Sequence, residues 1–190
     1  NFIMSKLETN TIDTVSGTTN LVIGSTNTST ITMPNGSLTG QNYPAFKAYN
    51  ESTQTLTDDT FTKIVFDTEV FDTDSTYDNS TNYRFTPNVA GKYFVFSQVA
   101  LQSDTNTSIV YCNLLIYKNG SSVFDGNLNH RMDFNATANY VRSNNLNISS
   151  IIDMNGTSDY LEIFGRINVT SGTPQVSNDQ SQFSAYRIGA

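Results

Sequence analysis

The stretch that decides the fold is FDTEVFDTDSTYDNSTNYRFTPNVAGKYFVFSQVAL, residues 66–101. It holds an acidic loop (67–82), a Pro87-Asn88 turn, Gly91 and then a strand that is apolar on both faces. Successive side chains of a strand point to opposite sides. Tyr93, Val95, Val99 and Leu101 therefore share one side, and Phe94, Phe96 and Ala100 the other. An antiparallel sheet ordinarily keeps one face wet, so this strand calls for two covers. One is a facing sheet; for the other, a chain of 190 residues offers a second copy of itself. Residues 110–117 have the same two-faced character.

Composition agrees with a β protein. Thr, Tyr and Phe favour strands, while Asn, Ser and Gly supply turns. The net charge is −7 with ten basic residues and no basic cluster, which excludes a nucleic-acid footprint. No apolar run reaches the roughly 18 residues of a spanning helix, and an acidic surface repels anionic lipid, so no membrane insertion is expected. Cys112 is the single cysteine. It lies mid-strand in IVYCNLLIY, reads as a small buried hydrophobe, and precludes an intrachain disulfide. Met4-Ser5-Lys6 resembles a natural start, and the polar residues after it contain no apolar signal core. Assembly in a reducing cytoplasm is the expectation.

Two parts are expected. Residues 1–40 are rich in Thr, Ser, Asn and Gly, with short strand candidates at 20–23 and 29–33, too little to bury a core alone. They read as an attachment or stalk segment. Residues 41–190 read as one all-β domain. Strands are expected at PAFKAYN (44–50), FTKIVF (61–66), the central stretch, IVYCNLLIYK (109–118), 140–154, 157–169 and 183–188, while 127–137 is less regular. Asn119-Gly120 is a hairpin signal. On 140–154, Leu146, Ile148 and Ile152 share a face, as do Leu161, Ile163, Ile167 and Val169 on the next strand. Strands at this spacing argue an antiparallel sandwich of jelly-roll type.

Enzyme chemistry finds no footing. His130 is the single histidine, and there is no nucleophile elbow for it to serve. The glutamates are Glu8, Glu51, Glu69 and Glu162, with no motif that pairs two carboxylates for glycan cleavage. Phosphate-loop, dinucleotide and paired-cysteine motifs are absent. Asp72, Asp74 and Asp78 make one oxygen-rich loop and are candidate calcium ligands, although the spacing is not that of an EF-hand. No other cofactor is expected. The ten Asn-x-Ser/Thr sequons follow from composition.

Phe66, Asp72, Tyr77, Phe85, Gly91, Tyr93 and the apolar positions after it resemble the signature of the globular-head family of the first complement component's q subcomponent. That family shares a trimeric jelly roll with the tumour necrosis factor ligands. The spacing departs by one extra residue between Tyr77 and Phe85. The resemblance continues through PAFKAY, LLIYKNGSSV, MNGTSDYLEIF and FSAYRIG. It implies a homotrimer, with Phe46, Phe85, Gly91, Tyr93, Phe94, Phe96, Tyr111, Phe183 and Tyr186 as residues of the subunit interface or core. The opening LETNTID and SGTTNLVIGSTNTSTITMPNGS are similar to N-terminal segments of tailed-phage structural proteins. This implies a non-enzymatic virion protein (a fibre, spike or capsid-decorating trimer) assembled in the host cytoplasm and displayed on the virion surface. Residues 1–40 would then dock on capsid or tail proteins, and the jelly roll would meet a host-surface glycan or receptor. The alternative is an extracellular, complement- or cytokine-like trimeric recognition module that binds a receptor or glycan.

Overall fold

Every regular element is a strand, as the alternating patterns require. The computed structural model describes residues 43–105, 109–123, 129–133 and 141–189; the strand candidates at 20–23 and 29–33 lie outside them. In chain order the strands are β1 (Ala45–Tyr49), β2 (Gln54–Thr55), β3 (Thr62–Lys63), β4 (Thr68–Asp72), β5 (Tyr77–Asp78), β6 (Arg84–Phe85) and β7 (Gly91–Ser103). There follow β8 (Ile109–Lys118), β9 (Ser121–Ser122), β10 (Asn129–Asp133), β11 (Ser143–Met154), β12 (Leu161–Val169), β13 (Pro174–Val176) and β14 (Gln182–Gly189). No helix occurs among the described residues.

The strands form two antiparallel sheets packed face to face. The front sheet runs β4, β1, β14, β7, β11, with β13 and β2 continuing beside the far half of β7. The back sheet runs β10, β8, β12, β6, β5, with β3 on β12 and β9 on β8. The long strand β7 is the hub. One edge pairs with β11 from Gly91 to Gln102; the other takes β14 and then β13. Sequential hairpins alone would not give this order. Chain neighbours β7 and β8 lie in opposite sheets, which is how a jelly roll closes a core.

The inward residues are those that alternation selects. Tyr93, Val95, Val99 and Leu101 on β7 are fully buried, and face Cys112, Leu114 and Ile116 of β8 and Leu161, Ile163 and Ile167 of β12. At one end the core is aromatic. Phe46 stacks on Tyr77 at 4.5 Å and on Phe85 at 4.5 Å, and meets Phe183 edge-on at 4.8 Å. The Tyr77 hydroxyl is satisfied there by donating to the Phe66 carbonyl at 3.0 Å, and burial pushes its pKa well above the ordinary range.

Three sequence expectations are corrected. Of residues 61–66 only β3 (Thr62–Lys63) is regular strand, although Ile64 N still donates to Ile163 O at 2.9 Å and Ile64 and Phe66 point into the core. The segment expected as an acidic loop contains a true strand, β4, on the edge beside β1. The segment 127–137, read as irregular, contains β10, paired with β8.

The turns follow local chemistry. Asn119 and Gly120 both take positive φ (54° and 76°), the mirror-image turn that joins β8 to β9. Between β11 and β12 the Asn155 carboxamide oxygen accepts N–H groups of Thr157, Ser158 and Asp159 at 2.9, 2.9 and 3.0 Å. Gly156 there has φ 70°, and a Cβ on it would lie 2.2 Å from the Ala90 nitrogen. Gly156→Ala is expected to lose about 1–3 kcal/mol from conformation alone, with a further loss as the 89–90 loop is displaced. Urea denaturation reads the total; a loss under about 0.5 kcal/mol would show that the turn relaxes freely.

Candidate functional site

Residues directly opposite in a ladder share a face, so the registers map the outer surface of the front sheet. One row crosses it as Ile151, Phe94, Tyr186 and Ala45. The next is Ser149, Phe96, Ser184, Lys47 and Phe71. A third is Asn147, Gln98, Gln182, Tyr49 and Thr68. The face thus grades from apolar to amide-rich over roughly 13 Å, four residues at the antiparallel rise.

The exposed large hydrophobics among the described residues are Tyr43, Val70, Phe71, Ile151, Tyr186 and Ile188. All lie on β4, β11, β14 or at the entry to β1, strands of the front sheet. Tyr186 is 51% exposed and Ile151 58%. Phe94, half-buried, leans on Tyr186 with ring centres 5.5 Å apart. Ordinary monomer surfaces scatter such residues singly. Here they gather on one sheet.

On the back sheet several large side chains already have partners. Lys63 Nζ meets Glu162 at 2.8 Å, Tyr117 stacks on Phe164 at 3.9 Å, and Arg166 binds Asp59 at 2.6 Å while lying over the Phe61 and Tyr111 rings. An aromatic or charge that already has a partner gains less from a second protein.

The residues singled out by resemblance separate into distinct places. Phe46, Phe85, Tyr93 and Phe183 are fully buried or nearly so within one subunit. Tyr93 donates its hydroxyl to the Val89 carbonyl at 2.7 Å, and burial pushes its pKa up to about 12. Gly91 lies beneath the Gly189 carbonyl, where no side chain fits. Phe94, Phe96 and Tyr186 come together on the outer front face. Tyr111 does not join them. It sits on the back sheet, where its hydroxyl donates to Asp59 and accepts from Arg166 Nη2 at 2.6 Å. The Cys112 thiol is buried and pushed up to about 12 by desolvation, as an inert core residue should be.

The calcium candidates Asp72, Asp74 and Asp78 sit in a loop that two of them help to shape. Asp72 accepts the N–H groups of Asp74 at 3.2 Å and Tyr77 at 2.6 Å and the Thr76 hydroxyl at 3.3 Å. Asp78 turns back to the N–H groups of Ser80, Thr81 and Asn82 and to the Asn82 amide. Asp72 and Asp78 are engaged in shaping the loop, while the buried Asp74 Oδ2 has no hydrogen-bond partner, and no three acidic, histidine or cysteine side chains converge on a metal position among the described residues.

The same bonds carry a pH dependence. The Thr81 N–H, then those of Ser80 and Asn82, hold the Asp78 carboxyl well below the usual carboxylate range, against a smaller opposing effect of burial. A depressed folded pKa stabilises above the unfolded value of about 3.9 and loses that contribution as pH falls through the folded one. Melting temperature should therefore decline below about pH 4, and Asp78→Asn should flatten that decline. Identical acid slopes in the two proteins would remove Asp78 from the account.

The front face was only partly visible to pattern reading. The sequence marks Phe94, Phe96 and Tyr186. Val70 and Phe71 lie among acids in 67–82, where an apolar pair is the available signal, and Ile151 neighbours the inward-facing Ile152.

No family model matches the chain, and no curated protein matches it in sequence. Solved structures do. Murine APRIL superposes with TM-score 0.54 at 10% identity, covering 77% of this chain and 100% of that one. A tumour necrosis factor from S. frugiperda, Eiger, gives 0.52 at 11% identity, over 77% and 93%. The globular domain of zebrafish complement 1qA protein gives 0.52 at 14%, over 77% and 98%. In fold, then, this chain is similar to the jelly rolls of tumour necrosis factor proteins and of the complement globular head.

Proposed function

We infer that this chain is the subunit of a homotrimeric, non-enzymatic recognition module of the extracellular ligand type. The observation that carries the reading is the gathering of every exposed large hydrophobic among the described residues on the front sheet and its margins. A surface so one-sided is explained by copies of the chain closing on it. Burial of one large aromatic is worth about 1.5–3 kcal/mol, and closed symmetry repeats each contact. The jelly-roll neighbours, APRIL, Eiger and complement 1qA, support a ligand or recognition role over catalysis. The virion reading, drawn from the resemblance of the opening segment and from the absence of a disulfide and an apolar signal core, finds no support among these neighbours.

The body begins and ends at one end of the sandwich. Arg187 N donates to Pro44 O at 3.1 Å, and Gly189 pairs with Lys92. The described body thus has its first and last strands meeting at the apolar end. The amide-rich end and the loop at 177–181 lie away from it.

Sedimentation at micromolar concentration tests the assembly. The chain should run at three times its 21.0 kDa, and a version beginning at residue 42 should keep the threefold mass while losing attachment to whatever surface carries the whole chain. A monomeric full-length protein would overturn the trimer. Undiminished attachment by the truncated protein would overturn the role given to residues 1–40.

A further inference from the structure

The amide-rich end of the front face is concave. A depression of about 320 Å³ opens there, at the lower limit for small-ligand sites. Its wall is built by Lys47 and Tyr49 of β1, Val70 of β4, Gln98 of β7 and the Gln180 and Gln182 side chains at the start of β14. Asp179 forms its lip.

These groups are poised. Elsewhere in the body the side chains of Asn50, Gln54, Asn119 and Asn155 are held by partners. The Lys47 ammonium, the Tyr49 hydroxyl and the amides of Gln98, Gln180 and Gln182 take none from any other described residue. Their spacing is set by rigid backbone. Gln98 is opposite Gln182, and Gln182 opposite Tyr49, in one continuous ladder. Lys47 stands one row away on the same face. Lys47, Tyr49, Gln98 and Gln182 are half-buried and Gln180 is exposed, so each can exchange water for a ligand's polar groups.

The chemistry of the wall specifies its occupant. One unpaired cation calls for an anion. Carboxamides and a phenol each donate and accept, which matches vicinal hydroxyls better than it matches an apolar side chain or a bare ion. The Tyr49 ring and Val70 add a small apolar patch for a C–H face. We propose that this depression binds a carboxylate-bearing sugar unit of the uronic-acid type, with the carboxylate on Lys47 and ring hydroxyls on Gln98, Gln182 and Tyr49. The proposal deepens the recognition reading and rests on it. The pocket lies two rows from the Phe94–Tyr186 row, so contacts made by the apolar end leave it open.

The test uses the full-length protein and three probes: methyl glucuronoside, methyl glucoside as the uncharged counterpart, and acetate as the bare carboxylate. Binding is followed by chemical-shift changes at residues 47, 49, 98 and 180–182. The glucuronoside should saturate these shifts, and the glucoside and acetate should each bind roughly tenfold more weakly or worse, the factor a charge-assisted hydrogen bond commands. Lys47→Gln and, independently, Gln98→Leu should each weaken glucuronoside binding at least roughly tenfold with unchanged far-ultraviolet dichroism and sedimentation. Acetate binding as tightly as the glucuronoside, shifts indifferent to both variants, or no saturable shift would each overturn the proposal. So would binding seen only after the subunits are forced apart, because the occupant would then be a second copy. Sedimentation of the same samples reports the trimer separately. A trimer that ignores the glucuronoside sinks this site alone, and a monomer that binds it sinks the assembly alone.

Discussion

Phe46→Ala should be the most damaging single truncation in the body, with an expected loss of about 3–5 kcal/mol, the range for large aromatics deleted from a core. Phe46 has no exposed surface and stacks or edges against Tyr77, Phe85 and Phe183 at once. Its neighbours come from both sheets, since Phe46 is on β1, Phe183 on β14, and Tyr77 and Phe85 on the facing β5 and β6. The resulting void cannot collapse, because each ring around it is held by strand backbone. The Tyr77 hydroxyl is also tied to Phe66 O. A domain of this size should melt roughly 6–20 °C lower, at about 2–4 °C per kcal/mol, when compared at one protein concentration so that assembly does not enter the difference. A loss under about 1 kcal/mol would mean that the aromatic end repacks and is not the jigsaw described above.

The second large effect concerns assembly and leaves the fold alone. Changing Phe94 and Tyr186 together to lysine should convert a trimer into monomers of 21.0 kDa. The two residues face each other across β7 and β14. Tyr186 is half exposed in one subunit, so the substitutions should alter monomer stability by within about 1 kcal/mol. In the trimer the same positions would bring six ammonium groups into an apolar contact. Desolvating unpaired charge costs several kcal/mol for each group, which exceeds what the surrounding contacts return. Dichroism should stay that of a β protein while the sedimentation coefficient falls. A variant that still sediments as a trimer would place the interface elsewhere. Unfolding of the double variant at neutral pH would show instead that the outer face is part of the monomer core.

The two experiments separate the sides of β7. Tyr93, Val95, Val99 and Leu101 belong to the core, and Phe94 and Phe96 to the outer face. Period-two alternation makes this division unavoidable: a side chain on a strand has two directions to choose from, and the neighbouring residue takes the other.

By itself the sequence determined the class of fold, the inward residues of β7, β11 and β12 and the hairpin at Asn119-Gly120. These depend on local periodicity and turn chemistry, which are written in adjacent residues. It also marked Phe94, Phe96 and Tyr186 as unusual. Only the tertiary structure decided which surface residues stand side by side. Lys47 and Gln182 lie far apart in the chain, yet ladder pairing of β1 with β14 puts them on one face. Tyr111 carries the same apolar signal as Phe94, but the crossing between β7 and β8 places it on the opposite sheet, with Arg166 and Asp59 as partners. Within the acidic loop Asp72 and Asp78 accept N–H groups of their own turns, a pairing that only the folded loop brings about. Long-range pairing assigns these roles, and a single chain read along its length carries no record of which strands will be neighbours.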